Sequence, residues 1–208
     1  GATPVGYYDV LYGTDPSAEI ISNPSQARLL NAAKLSGRTT GGLGIGVFNA
    51  IEGETVAVVK DSAGVESTTI TGPRSNYNVL VFDQSLKNNS FITFTNTNVL
   101  RENAFNDANV TAVNFSFNDK PNVWAIEGGG AYSQKYTGVE TAANNGIYHY
   151  LSAGKSGGKR RFAVGYEYTG ATYDNNDLGF LPINNLLNFF ANTSYHTYEP
   201  LWHLNQLN

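Results

Sequence analysis

Two glycine-rich stretches of this sequence carry patterns that enzymes use. Residues 154–158 (Gly-Lys-Ser-Gly-Gly) fit the G-x-S-x-G pattern of a serine nucleophile, which needs a supporting helix directly after the serine. Residues 42–46 (Gly-Leu-Gly-Ile-Gly) resemble a phosphate-binding loop, which also needs a following helix N-terminus. In both places the next residues alternate as in a strand. We therefore interpret 154–158 as a turn and 42–46 as small strand residues.

An acidic stretch at residues 174–179 (Asp-Asn-Asn-Asp-Leu-Gly) is similar to a calcium-binding loop. Leu178 stands where a second oxygen ligand is required, and no glutamate closes the loop. The stretch predicts the tip of a loop rich in Asp and Asn, and adventitious calcium on that loop is the alternative.

The remaining titratable candidates are scattered. His149, His196 and His203 have no partner at the spacing of a metal site. Glu127 and Glu167 are predicted on one inner face, on nearby but not adjacent strands, where a carboxylate facing a wet lumen is expected without catalysis. The sequence thus predicts no catalytic, cofactor-binding or metal-binding residue, and no enzyme.

The composition excludes several classes of protein. Charged residues make up 14% of the 208-residue chain, against roughly 25% in typical soluble domains, and the net charge of -4 predicts no nucleic-acid partner. Cysteine is absent, which excludes disulfides and zinc–thiolate sites. No run approaches the roughly 18 apolar residues of a membrane helix, but a barrel strand needs only alternate apolar residues.

Alternating apolar and polar residues predict about nine strands. They span about 27–39, 43–53, 74–87, 90–102, 107–119, 123–135, 145–156, 159–170 and 186–199. Aromatic and aliphatic side chains on one side of these strands are predicted to face lipid or to form interfacial girdles. They are Val113, Phe115, Phe117, Trp124, Ile126, Tyr132, Phe162, Val164, Tyr166 and Tyr168.

Short and long connections alternate along the chain, which is typical of a barrel with short periplasmic turns and long extracellular loops. The predicted periplasmic turns contain Gly41, Gly42, Asn88, Asn89, Pro121, Gly157 and Gly158. The long connections fall at about 52–75, 101–108, 135–145 and 171–185, and a short helix is predicted at 23–30. We predict an all-β fold: a segment of an antiparallel up-and-down transmembrane β-barrel, with 1–208 as a single region. The odd strand count predicts an incomplete barrel, an internal stretch of a longer one.

Four strings carry a family resemblance: residues 31–51, 76–83, 96–101 and 173–180. They resemble signatures of a large Bacteroidota family of outer-membrane β-barrel proteins of uncharacterised function. Members typically carry an N-terminal domain similar to family 9 carbohydrate-binding modules before the barrel. The resemblance implies a barrel in the bacterial outer membrane and places no catalytic motif on this chain.

The leading expectation is an outer-membrane barrel segment in contact with outer-membrane lipid, with glycan or nutrient handling at the cell surface. Only the resemblance suggests the glycan part. One alternative is a structural or accessory subunit of an outer-membrane complex, with other subunits as partners. Another is a secreted β-sheet module that binds carbohydrate, and a surface hydrolase using Glu127, Glu167 and Asp177 is a fourth hypothesis.

Overall fold

The computed structural model describes residues 2–103, 105–137, 143–177, 179 and 181–197. The chain forms two antiparallel sheets and one short helix, so the predicted all-β class is confirmed. The elements are α1 (Tyr7–Gly13), β1 (Glu19–Ser22), β2 (Leu29–Arg38), β3 (Leu43–Glu52), β4 (Thr55–Lys60), β5 (Glu66–Gly72), β6 (Ser75–Ser85), β7 (Phe91–Arg101), β8 (Asp107–Asn118), β9 (Trp124–Tyr136), β10 (Ala143–Lys155), β11 (Arg160–Thr169) and β12 (Leu186–Tyr195).

The large sheet has nine strands in the order β12-β11-β10-β9-β8-β7-β6-β3-β2. These are the nine strands that the alternation predicted, although residues 198 and 199 of the last predicted strand lie outside the described residues. Every residue of the two edge strands, β2 and β12, is exposed. The described part of the chain is therefore an open sheet and does not close into a barrel.

The small sheet, in the order β1-β4-β5, was not predicted. Its β4–β5 hairpin occupies the connection at 52–75, which the sequence indicated as a long connection without a strand. The predicted helix at 23–30 is wrong. Leu29 and Leu30 instead begin β2: Leu29 pairs with Glu52 of β3, and Leu30 lies at an irregularity in that register. The helix of the described chain is α1.

The large sheet is a single layer. Nearly all contacts between the described elements join neighbouring strands of one sheet, and α1 contacts β5. Ordinary domains bury one face of each sheet against a second layer. Here the buried apolar side chains of the described residues are few: Ala27, Ala50, Ala57, Val99, Ala108 and Tyr173. No described helix has the length and apolar character needed to cross a membrane.

Backbone pairing is staggered across the large sheet. One row of directly paired residues starts at Arg38, the last residue of β2, and ends at Asn188, the third residue of β12. Both strands run towards the end of the sheet that holds the tight turns. Across the nine strands, the row therefore shifts from the tight-turn end of the sheet to a position near the long-loop end. It passes through Gly44, Asp83, Thr93, Asn114, Gly129, Tyr150 and Glu167.

Candidate functional site

Paired residues of neighbouring strands point to the same side of a sheet, so the register assigns every side chain to one of two faces. One face, here called the apolar face, exposes large side chains such as Ile126 and Val164, whose exposed fractions are 50% and 52%. It also carries Leu151, which is paired with Gly128 and Tyr166. All the predicted lipid-facing residues lie on it: Val113, Phe115, Phe117, Trp124, Ile126, Tyr132, Phe162, Val164, Tyr166 and Tyr168.

The opposite side, here called the polar face, holds most of the charged side chains of the large sheet. They are Lys34, Arg38, Glu52, Asp83, Arg101, Glu127, Lys135, Arg161 and Glu167. The charged strand residues of the apolar face are Asp107, Lys155 and Arg160, which each begin or end a strand. The two faces therefore differ in charge along the whole sheet.

Hydrogen bonds connect many groups of the polar face across strands. Arg38 pairs with Asp83, which also accepts a 2.9 Å bond from the Thr93 hydroxyl. The Tyr148 hydroxyl donates to Glu167 Oε1 at 2.9 Å. These bonds give the charged side chains partners on a face that water or a polar solute can reach.

The connection between β11 and β12 folds back over the polar face. The amide of Asp174 donates to Ser133 Oγ at 3.1 Å, and the Tyr173 ring stacks on Tyr148 with centroids 5.7 Å apart. Tyr173 is buried, and burial raises the pKa of its hydroxyl. Residues 171–177, here called the docked loop, are thus held on the sheet and do not project from it.

A glycine in β10 makes this docking sterically feasible. A Cβ atom at Gly146 would lie 2.2 Å from the Cα of Tyr173, a backbone atom that cannot move aside cheaply. The Thr172 hydroxyl also donates to the Asn145 carbonyl at 2.5 Å. The bare surface of Gly146 is therefore the place where the loop backbone meets the sheet.

Two ion pairs fix the acidic residues of the docked loop. Arg101 Nη2 lies 2.7 Å from Asp177 Oδ1, and Lys135 Nζ lies 2.9 Å from Asp174 Oδ2. Burial alone would raise the pKa of Asp174. The hydrogen bond from the Asn176 amide and the bond and charge of Lys135 outweigh burial and hold that pKa below its ordinary value. Arg101 and Lys135 thus pair with the two carboxylates of the stretch that is similar to a calcium-binding loop. Leu178 of that stretch lies outside the described residues.

A small cavity of about 10 Å³ separates the docked loop from β7 and β8. Thr97, Val99 and Val110 line it from the sheet, and Asn175 lines it from the loop. Asn175 Oδ1 is buried without a hydrogen-bond partner among the described residues. A space of this size holds one water molecule, which would satisfy the amide oxygen.

The tight turns lie where the sequence placed them, although their periplasmic location stays a prediction. Gly41 and Gly42 join β2 to β3, and Gly42 has a φ of +85°. Asn88 and Asn89 join β6 to β7 with φ values of 60° and 56°, which Asn tolerates better than most residues. Pro121 lies between β8 and β9, and Gly157 and Gly158 lie between β10 and β11.

The candidates for catalysis are not brought together. Glu127 pairs with Ser152 and Glu167 with Tyr150, so β10 separates the two carboxylates. Residues 154 and 155 end β10, and residues 156–158 lie in the β10–β11 turn, which is followed by strand β11 and not by a helix. The described residues contain no group of three or more His, Cys, Asp or Glu side chains that could hold a metal ion. His203 lies outside them.

Comparison with known families assigns the chain to a family. The model of a family described as a domain of unknown function (DUF5916) matches residues 1–208. The chain belongs to that family. No curated protein and no solved structure matches it. The sequence had suggested a family of barrel proteins of uncharacterised function, and the match to DUF5916 over the whole chain is consistent with that resemblance.

Proposed function

We propose that this DUF5916 chain forms part of the wall of an outer-membrane β-barrel. Its apolar face contacts lipid, and its polar face lines an aqueous lumen that the docked loop narrows. The proposed role is passage or handling of solutes at the cell surface. Glycans enter this proposal only through the family resemblance.

The segregation of charge between the two faces carries the proposal. Ile126, Val164 and Leu151 are at least 41% exposed on a face that no second layer of the described chain covers. A soluble protein rarely exposes so continuous an apolar surface, whereas a barrel strand alternates lipid-facing apolar residues with polar lumenal ones. The polar face has the composition expected of a lumen lining.

Strand length and register give independent support. The nine strands of the large sheet range from 10 residues, as in β2, to 13 residues, as in β9. Barrel spans need about 9–11 residues, and average soluble strands have about 5–6. The rise of one paired row from Arg38 to Asn188 is the stagger that tilted barrel strands require. These features favour a membrane wall over a secreted carbohydrate-binding module.

The directions of the two edge strands determine whether they could pair with each other to close a barrel. In an antiparallel meander of nine strands, the first and the last run the same way, so β2 and β12 are parallel to each other. They cannot close directly in an all-antiparallel barrel. The proposed barrel therefore contains an odd number of further strands between β12 and β2.

Membrane fractionation and gel mobility of the full-length protein test this function. We expect the protein in the outer-membrane fraction, with faster migration before heating than after, because detergent-resistant barrels stay compact until they are boiled. A protein that is recovered in the soluble fraction and whose mobility does not change with heating would refute the proposed barrel.

A further inference from the structure

A cavity of about 330 Å³ lies on the polar face, near the tight-turn end of β9, β10, β11 and β12. A directly paired row of small residues crosses its middle, from Ala125 through Gly154 to Ala163. These residues leave the space above the sheet unfilled, and a volume of this size is within the range of small-molecule sites. The polar-face strand residues that line the cavity are Ala125, Glu127, Ser152, Gly154, Arg161, Ala163, Asn192 and Ser194.

Opposite charges stand at the two ends of the cavity. Glu127 lies two residues beyond Ala125 towards the long-loop end, and Arg161 lies two residues from Ala163 towards the tight-turn end. Two strand spacings of about 4.8 Å and four residues at about 3.4 Å each place their Cα atoms about 17 Å apart. That separation is beyond the reach of a direct ion pair, so the two charges do not neutralise each other.

Both charged side chains are placed by bonds to their neighbours. The Ser116 hydroxyl donates to Glu127 Oε1 at 3.5 Å, which is a long bond, and the Glu127 side chain is exposed. Arg161 Nε donates to the Gly158 carbonyl oxygen at 3.2 Å, which holds the guanidinium at the tight-turn side of the cavity. Hydroxyl and amide side chains line the same space. A solute in the cavity thus meets a carboxylate at one end and a guanidinium at the other.

We propose that this cavity binds a short peptide as a zwitterion, with its α-amino group on Glu127 and its α-carboxylate on Arg161. An extended chain of two or three residues is about 7–10 Å long, which fits between charged side chains whose Cα atoms are about 17 Å apart. Arginine can bind a carboxylate through two parallel hydrogen bonds, and a carboxylate accepts charge-assisted bonds from an ammonium group. This inference rests on the proposed function, because it takes the polar face as the lining of a lumen through which solutes pass.

The lining residues distinguish this ligand from other classes of solute. Glu127 would repel a simple anion, and Arg161 would repel a simple cation, whereas a zwitterion complements both. The aromatic residue among the described lining residues is Phe162, whose side chain belongs to the apolar face. These lining residues therefore offer no ring that could stack against a sugar, which favours the peptide over a glycan at this place.

Calorimetric titration of the full-length protein in mild detergent with trialanine tests the site. Trialanine should bind saturably. N-acetyl-trialanine lacks the ammonium group, and trialanine amide lacks the carboxylate. Each should bind at least about tenfold more weakly, because each loses charge-assisted hydrogen bonds at one end.

Two variants assign the ends of the peptide to the two charged residues. E127Q should remove the preference for trialanine over N-acetyl-trialanine and keep the preference over trialanine amide. R161Q should do the reverse. The matched control E167Q removes a carboxylate from the polar face outside the cavity, and it should change neither preference. A uniform loss of affinity for all three peptides in E127Q and R161Q would overturn the proposed contacts.

The outcomes separate this inference from the proposed function. A protein that is heat-modifiable and in the membrane, but does not bind trialanine, overturns the peptide site and leaves the barrel standing. Saturable binding of the neutral trisaccharide maltotriose, without binding of trialanine, overturns the choice of ligand. Recovery of the protein in the soluble fraction overturns both proposals.

Discussion

Arg101 at the end of β7 and Asp177 in the docked loop form an ion pair that is largely shielded from solvent. The guanidinium Nη2 lies 2.7 Å from the carboxylate Oδ1, and the exposed fractions of the two side chains are 8% and 18%. Residues far apart in the sequence therefore hold the loop against the polar face. A pair of this kind is sensitive to the loss of either partner, because the other charge is left buried.

Replacing Asp177 by alanine should release the docked loop. Loss of one partner from a buried ion pair costs about 3–5 kcal/mol, which corresponds to a change in local opening of roughly a hundredfold or more. Hydrogen exchange at the amides of residues 173–177 should accelerate accordingly, while exchange in β9 stays slow.

The Arg74–Glu102 pair provides the matched control. Its nitrogen and oxygen are 3.6 Å apart, and both side chains are more than half exposed. Such surface pairs contribute about 0–1 kcal/mol, so E102Q should leave loop exchange nearly unchanged. Equal effects of D177A and E102Q would contradict the role assigned to Asp177.

Alanine at Gly146 should also dislodge the loop, by steric overlap. The new Cβ would lie 2.2 Å from the Tyr173 Cα, and forced overpacking costs roughly 1–3 kcal/mol. Near-ultraviolet circular dichroism should lose the signal of Tyr173 stacked on Tyr148. Gly46 is the control, because its added Cβ would meet only Val81 Cβ at 3.7 Å. An unchanged Tyr signal in G146A would show that the loop does not rest on this glycine.

Acid should loosen the docked loop through Asp174. The pKa of its carboxyl is lowered in the docked state, against an ordinary value of 3.8. Its stabilising contribution is therefore complete above that ordinary value and is lost as the pH falls through the lower, docked value. Protection factors of the loop amides should drop below about pH 4 in the wild type. In D174N this step should be absent, and a step that persists there would assign the titration to another group.

The nine long strands were predictable because each one alternates in polarity over its whole length. Ile126, Gly128 and Gly130 already share one face in the sequence, and the turns that follow each strand contain Gly, Asn or Pro. The signal is local, so pairing between neighbours in the chain follows directly. The same periodicity placed all the predicted lipid-facing residues on one side.

The small sheet and the docked loop carried no such signal. β1 has only four residues, and its pairing with β4 brings Glu19 opposite Lys60 across a wide gap in sequence. The ion pairs of Asp174 and Asp177 likewise depend on partners in β9 and β7. These arrangements result from tertiary contact, which residue spacing within one segment does not encode.

A cysteine scan along β9 should report alternating environments for its two faces. The chain has no cysteine, so each substitution from position 125 to position 132 introduces a single thiol into it. Spin labels at position 126 should be accessible to oxygen, which concentrates in lipid, because Ile126 lies on the apolar face. Labels at position 127 should be accessible to a water-soluble nickel chelate, because Glu127 lies on the polar face.

The two accessibilities also distinguish a barrel wall from a soluble sheet. In a barrel wall they alternate with a period of two and in opposite phase. In a soluble single-layer sheet both faces meet water, so the chelate would reach positions 126 and 127 alike. Equal access of the chelate to both positions would contradict the assignment of the apolar face to lipid.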